Sequence, residues 1–164
     1  MKEFEIIFES ENIYYVNITE KLIDDYLEMI NNPEVSKFIS LKPRFFTFED
    51  ENNWIKQKQI NNSIIFSMKE KNTNEFIGNI EILEINNNIG EIGLCIIPKK
   101  QGKHYGLESI KRFIKYCVNI LTRRDSHSTV IIIGIIVART VLKTDTLSNM
   151  YVVKPIISKL IKDL

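Results

Sequence analysis

Apolar positions along this chain recur with two different spacings, and the switches between them outline its elements. Phe4 to Phe8 and Ile13 to Ile18 are strand-like and flank the polar run Glu9-Ser10-Glu11-Asn12. Thr19 is placed to cap the next element. From Glu20 to Ile30 the residues Leu22, Ile23, Tyr26, Leu27 and Ile30 fall at helical spacing, and Asn31-Asn32-Pro33 is expected to stop that helix. Val35 to Phe46 reads as irregular and aromatic. A second helix is expected from about Thr47 to Asn61, capped by Thr47 or Asp50, with Trp54, Ile55 and Lys58 along or beside one face.

Three strand signals come next: Ile64 to Lys69, Glu75 to Ile85 and Ile89 to Ile97. Glu70-Lys71-Asn72-Thr73-Asn74 and Asn86-Asn87-Asn88 separate them as polar turns, so an antiparallel meander is the simplest arrangement. Gly106 to Leu121 is an amphipathic helix with Leu107, Ile110, Phe113, Ile114, Cys117 and Leu121 on one stripe. Glu108 in its first turn suits the helix dipole. Leu121 to Ser128 reads as a loop. Thr129 to Val137 is a β-branched run that fits a buried strand, with a buried helix left open by its periodicity. Pro155 to Leu164 is the place for a short terminal helix. No internal repeat is present.

A chain of 164 residues is expected to form a single domain, here 1–164. With 44% hydrophobic and 26% charged residues its composition is that of an ordinary globular protein, and a formal charge of +1 gives no long-range attraction to nucleic acid or an anionic membrane. The longest apolar run, Thr129 to Ala138, is too short to span a bilayer as a helix. Met1 to Glu11 lacks a secretory signal pattern, and Cys95 and Cys117 sit in apolar segments without zinc or redox spacing. These features point to a cytoplasmic protein with free thiols. The two histidines, His104 and His127, have no further residues at metal-ligand spacing.

The chemistry concentrates between Ile89 and Glu108. A strand-like segment ends at Pro98, a basic turn containing Gly102 comes after it, and a helix begins. Backbone N–H groups at a helix start have no partner within the helix and attract anions. Gln101 to Gly106 therefore reads as a nest for a phosphate-bearing cofactor, or as a surface turn that caps the helix. Lys99, Lys100 and Lys103 either add attraction for phosphate or are simply solvated.

Gly90-Glu91-Ile92-Gly93-Leu94 followed by Gln101-Gly102-Lys103-His104-Tyr105-Gly106-Leu107-Glu108 resembles the GCN5-related N-acetyltransferase (GNAT) family. The ribosomal-protein N-terminal acetyltransferase branch is the nearest in flavour. The resemblance covers roughly Ile13 to Leu121. It implies an α/β acyl-CoA N-acyltransferase fold, with a mixed, largely antiparallel central sheet flanked by helices. It also implies acetyl-CoA as cofactor. The family's Gln/Arg-x-x-Gly-x-Gly/Ala motif falls on Gln101, His104 and Gly106, so histidine stands at the middle glycine. The family's later Asn loop, Tyr-bearing helix and Gly-Phe turn have no counterpart after Leu121, and 122–164 forms a divergent C-terminal part. Tyr151 carries no catalytic assignment.

On this resemblance Gln101, Gly102, Lys103, His104, Tyr105 and Gly106 bind the pyrophosphate, and Leu94, Cys95 and Ile96 offer backbone groups to the pantetheine arm. Glu91 is the expected general base, acting directly or through water, with a solvent-facing strand residue as its alternative. Cys95 has no neighbour at motif spacing to make it a nucleophile. Trp54, Phe45, Phe46 and Phe48 either shape the acceptor site or pack as core and lid. The implied reaction moves acetyl to an amine on a small molecule or a protein N-terminus, and a homodimer is a family-based expectation. The rivals are a non-catalytic CoA-binding descendant and a protein-interaction scaffold of the same fold.

Overall fold

The computed structural model describes residues 4–39, 44–86, 89–124 and 135–137. Two short strands, β1 (Ile6–Glu9) and β2 (Ile13–Asn17), form the opening antiparallel hairpin. The Thr19 side chain accepts from the Lys21 N–H at the turn that leads into helix α1 (Ile23–Ile30). Helix α1 ends before Asn31, as the Asn-Asn-Pro run implies. Pro33 does not end the helical region, however: it opens a further helix, α2 (Pro33–Ile39), inside the stretch expected to be irregular. Proline suits a first helical position because the N–H it lacks would have no acceptor there. Asn32 supplies the cap, accepting the Glu34 N–H on Oδ1 at 2.9 Å, while its carbonyl takes the Ser36 N–H at 2.8 Å.

Helix α3 (Phe48–Ile60) starts at a reciprocal capping box, in which Thr47 and Asp50 act together rather than as alternatives. Three strands come next, as expected: β3 (Ile65–Glu70), β4 (Phe76–Asn86) and β5 (Ile89–Ile96). Helix α4 (Tyr105–Arg124) runs past the predicted end, so its last turn takes in Leu121 to Arg124, which the sequence pattern assigns to a loop. Apolar spacing fades there, but Thr122, Arg123 and Arg124 carry no helix-breaking chemistry. Of the Thr129 to Val137 run, Ile135–Val137 is strand β6 and the rest lies outside the described residues, as do His127, Tyr151 and the segment from Pro155.

The six strands form one sheet in the order β1-β2-β3-β4-β5-β6. The first four pairings are antiparallel and β5 pairs with β6 in parallel, with α4 between them in the chain. This is the mixed, largely antiparallel sheet flanked by helices that the sequence implied.

Strand alternation sends side chains to two cores. Phe66, Met68, Ile80, Ile92, Leu94 and Ile96 meet Ile110, Phe113, Ile114 and Cys117 of α4 on one face. Val16, Ile65, Phe76 and Ile97 meet Ile23, Tyr26 and Met29 of α1 and Ile55 of α3 on the other. The second core holds a buried polar chain. Ser67 donates to Asn79 Oδ1 at 3.0 Å, so the Tyr26 hydroxyl donates to Ser67 Oγ, 2.7 Å away. Each member is satisfied, which is the condition for burying such groups cheaply. Ile77 forms a bulge on β4: Met68 pairs with Gly78 and Lys69 with Phe76. Beside the bulge, Gly78 lets β4 and β5 approach very closely.

Candidate active site

Strand β5 hands over to α4 through a tight turn at Pro98–Lys100 and a loop from Gln101 to His104. The turn is closed by backbone bonds from Lys100 to Ile97 (2.9 Å) and from Gln101 to Pro98 (3.2 Å). Gln101 Nε2 donates to the Ile96 carbonyl at 2.9 Å, so its side chain ties the loop to the end of β5. Gly102 (φ 73°) and His104 (φ 65°) both lie in the left-handed region. Left-handed residues in such a loop turn successive N–H groups towards a common point. Among the described residues, no acceptor stands opposite the N–H groups from Gly102 to Leu107.

The surroundings suit an anion. Gly102, Lys103 and His104 are exposed, and a Cβ at Gly102 would meet nothing within 4 Å. Glu108, the carboxylate of the first helical turn, is turned away and held by Asn12, whose backbone N–H and Nδ2 donate to it at 2.7 and 3.1 Å. Gly106 is buried, and its carbonyl accepts from Ser109 Oγ at 2.9 Å. Of the three lysines, Lys103 is free to face a phosphate. Lys99 lies 3.5 Å from Glu28, and Lys100 is buried against Glu70 and Glu75. The Tyr105 ring is buried and its hydroxyl donates to Glu70, so it has only its backbone N–H to offer a cofactor.

The histidine at the motif's middle position thus adopts the backbone that glycine adopts freely, at a cost of about 1 kcal/mol. Replacing His104→Gly is expected to relieve that strain and to leave thermal stability within about 1 kcal/mol of the parent, because added unfolded-state entropy offsets the gain. In a titration with acetyl-CoA, the cofactor that the family resemblance implies, affinity is expected to hold or rise two- to threefold. A tenfold loss by calorimetry would show instead that the imidazole itself contacts the ligand.

Further along β5, Leu94 pairs with Ile80 on one side and Val137 on the other. The outer edge is without a strand partner among the described residues from Cys95 onward. The Cys95 thiol is pushed up to about 12 by burial, and the Glu81 charge adds to this, so it stays protonated.

The opposite face of β5 opens into a cleft of ≈ 430 Å³. Gly93, Leu94 and Cys95 form its floor, and Met29 of α1 with Glu51 and Trp54 of α3 form one wall. Glu81 and Leu83 of β4 form the other, with Arg44 and Phe46 at the mouth. Phe46 is anchored by Asn31, whose Nδ2 donates to its carbonyl at 2.9 Å and whose Oδ1 accepts its N–H at 2.8 Å. Phe45 and Phe48 are exposed and do not line the cleft. Glu91 is half-buried on the same strand face as Gly93, two residues along and outside the lining.

Sequence reasoning missed the carboxylates that do line the cleft. Glu81 forms an ion pair with Lys58. Asp50 is held below its usual range by the Thr47 N–H and hydroxyl, with Arg44 3.5 Å away. Glu51 is 5% exposed, and burial, followed by the Asp50 charge, raises its carboxyl. The available signal was spacing: Glu51 falls three and four residues before Trp54 and Ile55, on the face that α3 turns inward. Among the described residues no group of His, Cys, Asp and Glu could hold a metal, and no helix is long and apolar enough to cross a membrane.

The chain belongs to the GNAT acetyltransferase family: the model for the acetyltransferase (GNAT) domain matches residues 12–139. An uncharacterised protein of Methanocaldococcus jannaschii is 27% identical over 131 residues, which cover 72% of this chain and 27% of that one. The chain thus spans about a quarter of the length of that curated relative. Among solved structures, a putative ribosomal-protein-serine acetyltransferase from Vibrio cholerae superposes with a TM-score of 0.58 at 19% identity, covering 73% of this chain and 69% of that one. Spermidine N-acetyltransferase from the same organism, in complex with CoA and spermine, gives 0.59 at 20% identity, covering 68% and 66%. These likenesses bear out the fold, and they span more than one branch of the family.

Proposed function

We propose that this protein transfers acetyl from acetyl-CoA to an amine. The observation that carries the reading is the set of N–H groups from Gly102 to Leu107, unpartnered among the described residues, on the same β5-α4 unit whose strand floors the cleft. Those groups hold the pyrophosphate, with Lys103 adding charge. The outer edge of β5 from Cys95 onward, without a strand partner among the described residues, pairs with the pantetheine arm as an added strand would, and the Ile96 N–H on that edge polarises the thioester carbonyl. An amine attacks only as the neutral species and sheds a further proton as the amide forms, and Glu91, on the cleft face of β5, takes that further proton through an ordered water.

The acceptor is a small amine or a protein N-terminus. The ribosomal-protein branch remains our nearest resemblance, while one structural neighbour is a spermidine enzyme. A cytoplasmic setting and a homodimer complete the proposal.

Calorimetric titration with acetyl-CoA and with free CoA tests it. Saturable binding is expected. Lys103→Glu, a change on an exposed loop, should weaken it about tenfold, and Gly106→Val should weaken it further. Binding of neither compound to folded protein would sink acetyl transfer and favour an interaction scaffold. Binding with no turnover of any amine would favour the non-catalytic descendant.

A further inference from the structure

We propose that Glu51 receives the acceptor's ammonium group, and that the acceptor is a primary amine with one positive charge on an apolar body. The chemical step rests on the acetyl-transfer reading above; the recognition does not.

Three acidic residues occupy the first turn of α3, and the helix dipole accounts for a preference there. It does not account for where they point. Glu49 is exposed and Asp50 closes the capping box, whereas Glu51 is only 5% exposed, lines the cleft, and has no hydrogen-bond or ion-pair partner among the described residues. A carboxylate held in a largely buried side chain without an ion partner is costly even where its oxygens still touch water in the cleft, and an apolar residue in its place would make a more stable wall. A cation that enters the cleft removes that cost.

The cleft also sets the charge count. Lys58 neutralises Glu81, and Arg44 and Thr47 hold Asp50, which among the described residues leaves one uncompensated anion for one ammonium. A polyamine would bring two or three charges to a wall able to pair one. Trp54, Phe46, Met29 and Leu83 surround the rest with apolar surface, and the Trp54 and Phe46 faces favour a cation nearby. A volume of ≈ 430 Å³ suits a small ligand.

In a desolvated cleft the neutral pair of carboxylic acid and amine gains on the ion pair. The ammonium N–H bond breaks and a Glu51 O–H bond forms, freeing the nitrogen lone pair to attack the thioester carbon. The C–S bond then breaks with its electrons going to sulfur. The nitrogen's second proton leaves through Glu91 or water and balances the thiolate, while the proton on Glu51 returns to solvent.

Trp54 is the sole tryptophan of the chain and lines the cleft, so its fluorescence reads binding directly. The full chain, without CoA, would be titrated with 2-phenylethylamine, with spermidine, and with a tripeptide bearing a free N-terminus. Saturable binding of 2-phenylethylamine is expected, at least tenfold tighter than spermidine or the tripeptide. Glu51→Gln should weaken it at least tenfold, with the volume-matched Glu51→Met as a second variant, and both should melt no lower than the parent at pH 8. Equal affinity in parent and variants, or no amine binding by the parent, overturns the role of Glu51. Tighter binding of spermidine or of the tripeptide overturns the acceptor class. Amine binding that depends on Glu51, in a protein that ignores acetyl-CoA, overturns acetyl transfer and leaves the cation site standing.

Discussion

Replacing Gly78→Ala is expected to cost about 4 kcal/mol and to remove a large share of the chain's stability. A Cβ there would lie 1.9 Å from the Cys95 carbonyl oxygen and 2.9 Å from the Ile96 Cα. Both obstacles are backbone, so no side chain can rotate away, and the strands must part. The residue's φ of 155° adds strain for any side chain. Parting β4 from β5 breaks the pairing of Gly78 with Ile96 and the bond from the Ile97 N–H to the Ile77 carbonyl at 2.9 Å. It also displaces the strand end that carries the nest. A typical domain has only about 5–15 kcal/mol in hand, so a loss of this size is close to decisive.

Gly93→Ala is the internal control. Its added Cβ would meet Leu83 Cγ at 3.0 Å and Glu81 Cγ at 3.2 Å, both of them side-chain rather than backbone atoms, and Leu83 is 46% exposed. A loss below about 1 kcal/mol is expected, with the substitution felt in the cleft instead. Urea denaturation of both variants decides the point, and equal stabilities would refute the close-approach argument.

The meander and the long helix were legible because their apolar residues keep a period over many positions. The turn between β5 and α4 was legible because Pro98, Gly102 and Gly106 stand where strand, turn and helix chemistry change. What escaped notice depends on contacts between distant segments. Lys100 looks like one of three solvated cations in a basic turn, and only the β3-β4 hairpin, about thirty residues upstream, buries it. Glu51 looks like a first-turn acid until β5 closes the cleft against it. The φ of His104 shows a third kind of gap, since the sequence has histidine where the motif has glycine and the loop reaches the left-handed geometry all the same. Pro33 misled because a helix stop and a helix start share the same residue chemistry, and the Asn32 cap decides between them.

Lys100→Met is expected to cost about 2–3 kcal/mol and, on the acetyl-transfer reading proposed above, to weaken acetyl-CoA binding about tenfold. Lys100 is 4% exposed, and its Nζ lies 2.7 Å from a Glu70 carboxylate oxygen and against Glu75. Glu70 also accepts from the Tyr105 and Thr73 hydroxyls. The cluster therefore pins Lys100, just before the nest, and Tyr105, within it, to the β3-β4 hairpin. Methionine fills the space without the charge and strands Glu70. The loop loses one anchor, and N–H groups that must converge on one anion become less ordered before binding. The network has a pH signature as well. The Lys100 hydrogen bond, then those of Thr73 and Tyr105, pull Glu70 from 4.5 to about 2. A carboxyl lowered on folding stabilises above its unfolded pKa, and that contribution is lost as pH falls through the folded value. The parent should therefore lose stability between about pH 4.5 and 2, and Lys100→Met should flatten that limb because the principal partner is gone. Thermal melts across this range, paired with acetyl-CoA titration at neutral pH, test both halves. An acid limb unchanged in the variant would mean that Glu70 owes its low pKa to Thr73 and Tyr105, and that Lys100 contributes only its bulk.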